Sequence, residues 1–183
     1  MGGTNTWADT SVGNSSDIDS NHMRYIGCAV TALTNAANTL NGTNFTPGDT
    51  NSSSELFPDS SSDDKKSDID FSGFAKSQGL TLNTISPGGR SGLKDKLDNL
   101  SKSGTSYAVI AQVKYKNGSD NGHFVGVNGV AKLSDGKDYL EISPTSGNDY
   151  SSSERRSDWK HENGKIYVPL SDVLRLNVLS KEE

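Results

Sequence analysis

Tyr25-Ile26-Gly27-Cys28-Ala29-Val30-Thr31-Ala32-Leu33 is the stretch whose reading decides the fold, because it sets the chain's single cysteine at the start of a helical pattern. From Cys28 to Leu40 the residues are rich in Ala and Leu and contain no Pro, and Asn41-Gly42 is a helix stop. One thiol makes no internal disulfide, so its placement calls for another account. Two are open. A cysteine can be buried simply as a small hydrophobe. If the helix starts near Gly27, however, the thiol lies in its first turn, where unpaired N–H groups and the positive dipole end favour a thiolate.

Upstream, residues 1–24 read as an irregular arm with Trp7 as its one large anchor. Downstream, residues 43–69 hold Thr46-Pro47-Gly48 and the low-complexity run Asp59-Ser60-Ser61-Ser62-Asp63-Asp64-Lys65-Lys66, a solvated loop. Ile69–Lys76 places apolar residues at helical spacing and stops at Gln78-Gly79, and Ser91–Leu100 aligns Leu93, Leu97 and Leu100 on one helix face. After Gly104 the period changes. Tyr107–Tyr115, His123–Val130 and Asp138–Ile142 are strands separated by turn signals, which predicts a three-stranded antiparallel meander. Residues 145–164 read as another polar loop, Lys165–Pro169 as a further strand and Leu170–Leu174 as a helical turn. Helices first and strands later indicate an α+β fold.

The length of 183 residues suits one well-buried domain, 1–183. Hydrophobic residues make up only 31%, and the polar excess of Ser, Asn, Asp, Thr and Gly is gathered in a few stretches, which predicts long loops on a compact core. Lys and Arg number 18 against 23 Asp and Glu, a net charge of -5 that disfavours nucleic acid or an anionic membrane as partner. No stretch approaches the roughly 20 apolar residues of a membrane span, and Met1-Gly2-Gly3-Thr4-Asn5-Thr6-Trp7 lacks a basic-then-apolar signal pattern. A single cysteine excludes a disulfide framework and argues against a thiolate-rich zinc site, and nothing calls for a metal or other cofactor. Asn- and Ser-rich loops of this kind suit an extracellular or phage-associated bacterial domain, without fixing the compartment or the oligomeric state.

A cysteine nucleophile needs a base or an imidazolium partner, which comes from elsewhere in the chain and meets it only in the fold. His123 is the candidate, opening its strand directly after Asn121-Gly122. Together these stretches resemble the papain-like cysteine peptidases, in particular the bacterial group related to the double-glycine leader peptidases of bacteriocin exporters. Gly27–Leu33 is similar to that group's nucleophile helix and Thr46-Pro47 to its continuation. Gly92–Leu97 with Ala108-Val109-Ile110 resembles the helix and strand ahead of its histidine. Gly122–Val127 resembles the histidine strand, and Ile142-Ser143-Pro144 falls where the family has an Asp-Pro pair.

The resemblance implies a papain-like α+β fold, an N-terminal helix carrying Cys28 packed on a C-terminal antiparallel sheet carrying His123. It also implies acyl transfer on an amide of a peptide or a cell-wall stem peptide, with Cys28 as nucleophile and His123 as general base and then acid. Two departures stand out. Ser143 replaces the family's orienting aspartate; Asn148 or Asp149 could substitute, with Asn128 and Glu141 as weaker candidates, Glu141 being the choice if the CHAP-type amidohydrolases are the nearer relatives. No glutamine precedes Cys28, so beside the Cys28 backbone N–H the oxyanion donor would be Asn5, Asn21 or His22. The alternative is a catalytically impaired papain-like fold that serves as a binding or structural module.

Overall fold

The Ala-rich stretch forms α1 (Cys28–Asn41) in a computed structural model that describes residues 27–57, 69–86, 90–114, 122–145 and 159–181. Gly42 ends the helix at φ 66, a left-handed conformation in which a side chain is strained, and its N–H donates to Asn38 O at 2.9 Å. Then come α2 (Pro47–Asn51), α3 (Phe71–Ser77), β1 (Leu80–Ile85), α4 (Arg90–Lys102), β2 (Tyr107–Val113), β3 (His123–Lys132) and β4 (Asp138–Ser143). β5 (Lys160–Glu162), β6 (Lys165–Pro169), a 3-10 turn at Leu170–Asp172 and β7 (Val173–Lys181) complete the described chain.

The α+β class is as expected, but the sheet is larger than a meander. Seven antiparallel strands run in the order β1-β7-β2-β3-β4-β6-β5. The predicted meander survives as β2-β3-β4 at its centre. Three strands escape the sequence reading. β5 lies inside the polar stretch 145–164, β1 fills the gap between two helices, and β7 replaces the end of the expected helical turn. Only Leu170–Asp172 of that turn is helical, as a 3-10 turn. β7 mixes both periods in Val173, Leu174, Leu176, Val178 and Leu179. Its strand state comes from pairing with β1 on one side and β2 on the other, a long-range interaction that local pattern does not encode.

Helices cover both faces. On one, Val30, Leu33 and Ala37 of α1 and Phe74 of α3 pack on Leu80, Ile110 and Leu179. On the other, Leu93 and Leu97 of α4 meet Val109, Ala111, Val125, Leu140, Leu176 and Val178, with Trp159, Ile166 and Val168 closing that core. α2 braces α1. A capping box at Thr46 and Asp49 starts it, and buried Thr50 hydrogen-bonds Thr34 of α1 at 2.8 Å.

Leu179 is fully buried beneath α1, so Leu179→Ala lowers unfolding free energy by about 2–5 kcal/mol, while exposed Lys181→Ala on the same strand stays within about 0.5 kcal/mol, both read from urea midpoints. The Thr46 backbone N–H and hydroxyl donate to Asp49 and hold its carboxyl below the ordinary carboxylate range. Its folded pKa is therefore the lower one, so the stabilisation is present above the unfolded pKa and is lost as pH falls through the folded one. Asp49→Asn flattens that part of the acid limb in denaturation midpoints measured between about pH 5 and about pH 2.

Candidate functional site

Cys28 is the first residue of α1 and is half-buried. Gly27 precedes it with φ -72 and ψ 7, and its carbonyl accepts from Thr31 N–H at 2.9 Å, the first bond of the helix. Gly27 offers no side-chain cap, and the first turn contains no acidic residue. The dipole end is thus uncompensated by a carboxylate on the helix itself. Ala29, Val30, Ala32, Leu33, Ala36 and Ala37 are buried, and this apolar face lays α1 across β2 and β3.

His123 is the first residue of β3, cross-strand from Val113, and is 7% exposed with its Nε2 shielded from solvent. The strand pleat fixes its side. Phe124 packs into the core under α1, whereas Val125 belongs to the core under α4. Alternation therefore gives His123 the Val113 and Val125 side, away from α1. It sits at the rim of the sheet, so a thiol and an imidazole can meet only around that rim, past the start of β3, and not through the sheet.

Gly122 makes the rim tight. A Cβ there would lie 2.7 Å from Gln112 Cγ and 2.8 Å from both Leu174 Cδ1 and Val113 O. The expected turn glycine thus serves a close backbone approach that brings the histidine strand into register. Thr145 closes the other side, its hydroxyl donating to Phe124 O beside His123.

Ser143 is cross-strand from Gly126 and donates its hydroxyl proton to Asn128 Oδ1 at 2.8 Å. The Gly126 row shares the α1 side of the pleat, so Ser143 and Asn128 do not line up with the His123 ring. Asn128 occupies the register shift between Val127 and Gly129. Glu141 accepts from Lys165 Nζ at 2.9 Å, which also holds that lysine's pKa above its ordinary value. Asn148, Asp149, Asn5, Asn21 and His22 lie outside the described residues.

One carboxylate at this rim went unnoticed in the sequence reading. Asp172 is 3% exposed in the 3-10 turn, and its carbonyl accepts Lys114 N–H at 2.8 Å, just where Val173 pairs with Val113, the partner of His123. Its only sequence signal was an Asp at the edge of an apolar turn. Among the described residues no group of three His, Cys, Asp or Glu could hold a metal ion, and no helix is long and apolar enough to cross a membrane. No protein-family model matches the chain, and no curated protein matches it.

The glycine constraint is measurable. Gly122→Ala costs about 1–3 kcal/mol and moves the His123 amide and ring resonances in heteronuclear NMR. Gly129→Ala, where a new Cβ meets nothing within 4 Å, leaves both unchanged within about 0.5 kcal/mol.

Proposed function

We propose that this chain is a cysteine-dependent amide hydrolase of papain-like arrangement, acting on a peptide or the stem peptide of a bacterial cell wall. One observation carries the reading: the helix that begins at Cys28 packs on the strand that begins at His123. The resemblance of Gly27–Leu33 and Gly122–Val127 to the double-glycine leader peptidase group supports the same pairing.

The chemistry follows from the two groups. The Cys28 thiolate attacks the amide carbonyl carbon, forming a C–S bond and an oxyanion opposite the backbone N–H groups of the α1 first turn. His123, as imidazolium, gives its proton to the leaving amine as the C–N bond breaks, leaving a thioester. Water then adds to the thioester carbonyl with His123 taking its proton, and the C–S bond breaks to release the acid and restore the thiol.

A second reading, a binding or structural module that retains the thiol without turnover, is favoured by two features. His123 is enclosed on the side of the pleat away from α1, and the hydroxyl standing where the family has an acid is committed to Asn128.

Amine release from cell-wall material or from a peptide library separates the two. Under the hydrolase reading, Cys28→Ser and His123→Ala each abolish release, by on the order of 10⁴-fold or more. Iodoacetamide then labels Cys28 in the folded protein at neutral pH, and His123→Ala slows the labelling. A thiol that alkylates only after unfolding, together with no amine release, overturns it.

A further inference from the structure

On the sheet face that carries α1, three residues form a cross-strand row: Arg175 of β7 pairs with Gln112 of β2, which pairs with Phe124 of β3. Neighbouring strands lie about 4.8 Å apart, which sets the Arg175 and Phe124 backbones about 10 Å from one another. The arginine side chain reaches across Gln112 and places its guanidinium carbon 5.8 Å from the Phe124 ring centroid. Phe71 of α3 meets the same ring at 5.3 Å with a 38° tilt. Arg175 is exposed, while Gln112, Phe71 and Phe124 are half-buried.

The cation–π contact holds the guanidinium over the Phe124 ring, and its five N–H donors remain available to a ligand on an exposed side chain. Among the described residues the ion pairs are Lys94 with Asp98 and Lys165 with Glu141, so no carboxylate there occupies the arginine. In a chain of net charge -5, an exposed guanidinium held on an aromatic ring and not ion-paired among the described residues is a recognition group of a definite kind. One cation with a planar fork matches one carboxylate; a phosphate dianion would call for more positive charge than this row holds. The two phenylalanines supply an apolar floor beside it.

We propose that Arg175, seated on Phe124 and flanked by the Gln112 amide, forms a subsite for the carboxylate of a peptide ligand, with the adjoining side chain of that ligand against Phe71 and Phe124. The inference uses the hydrolase reading only to place the bound peptide beside the Cys28 helix; carboxylate binding itself does not depend on turnover.

The test is an NMR titration of the Cys28→Ser protein with acetyl-dialanine, its C-terminal amide, and inorganic phosphate. Acetyl-dialanine is expected to shift the Arg175 Nε–H and Gln112 side-chain resonances, and its affinity to drop about tenfold or more in the amide probe and in Arg175→Gln, with Arg175→Lys between. Equal affinity for acid and amide, unchanged binding in Arg175→Gln, or phosphate binding as tightly as the peptide acid overturns the subsite. The two proposals fail separately. Acid-selective binding with no amine release from any peptide removes the hydrolase and keeps the subsite, while Cys28-dependent turnover at equal rates for acid and amide peptides removes the subsite and keeps the hydrolase.

Discussion

The insertion of β7 between β1 and β2 is the interaction on which the rest of the structure depends. Without it β1 has no partner, because β1 joins the sheet only through β7, which in turn pairs with β2. The strand is buried on both faces: Leu176 and Val178 serve the core under α4, and Leu179 serves the core under α1. The floor on which the Cys28 helix rests is made mainly by β2 and β3, and Leu179 of the last described strand completes it. Pairings of such sequence separation cost loop-closure entropy before any contact rewards it. Position of the thiol is thus a property of the closed sheet and not of α1 alone.

Elements whose partners are near in sequence were legible. α1 announced itself through Ala-rich composition and the Asn41-Gly42 stop, and β2, β3 and β4 through β-branched content and intervening turns. β1 and β7 were not, for a common reason. Leu80-Thr81-Leu82 is short and sits between helices, and Val173–Lys181 carries apolar residues at both helical and strand spacing. Each is held as a strand by a neighbour from the far end of the chain. Of the candidate site, Cys28 and His123 were legible as residue types at element starts. The side of the sheet that His123 takes was not, since that depends on the pleat phase set by Gly122 against Gln112 and by Phe124 beneath α1.

The two halves of the candidate site are stabilised by different physics. α1 is held by apolar burial, with Ala residues letting it lie close to the sheet and Thr34 tying it to Thr50. The start of β3 is held by geometry: a glycine with no room for a methyl group on one side and the Thr145 hydroxyl on the Phe124 carbonyl on the other. Apolar packing thus holds one half and backbone constraint the other.

This division bears on Ser143, which falls where the peptidases that the sequence resembles carry an acid. An orienting aspartate does two things for a catalytic histidine: it fixes the ring's tautomer and it opposes the imidazolium charge. Ser143 is neutral, its proton is given to Asn128, and its row lies on the other side of the pleat from His123. It can therefore supply no charge, and its hydrogen bond serves the β3–β4 ladder at the register shift. The placement of His123 does not need it, because Gly122, Val113 and Thr145 already fix the start of the strand. The buried residue at this end of the sheet that carries an acid is Asp172, in the turn that leads into the Val113–Val173 pair beside the strand of His123. The position of His123 is thus set by backbone packing at the start of β3, independently of Ser143.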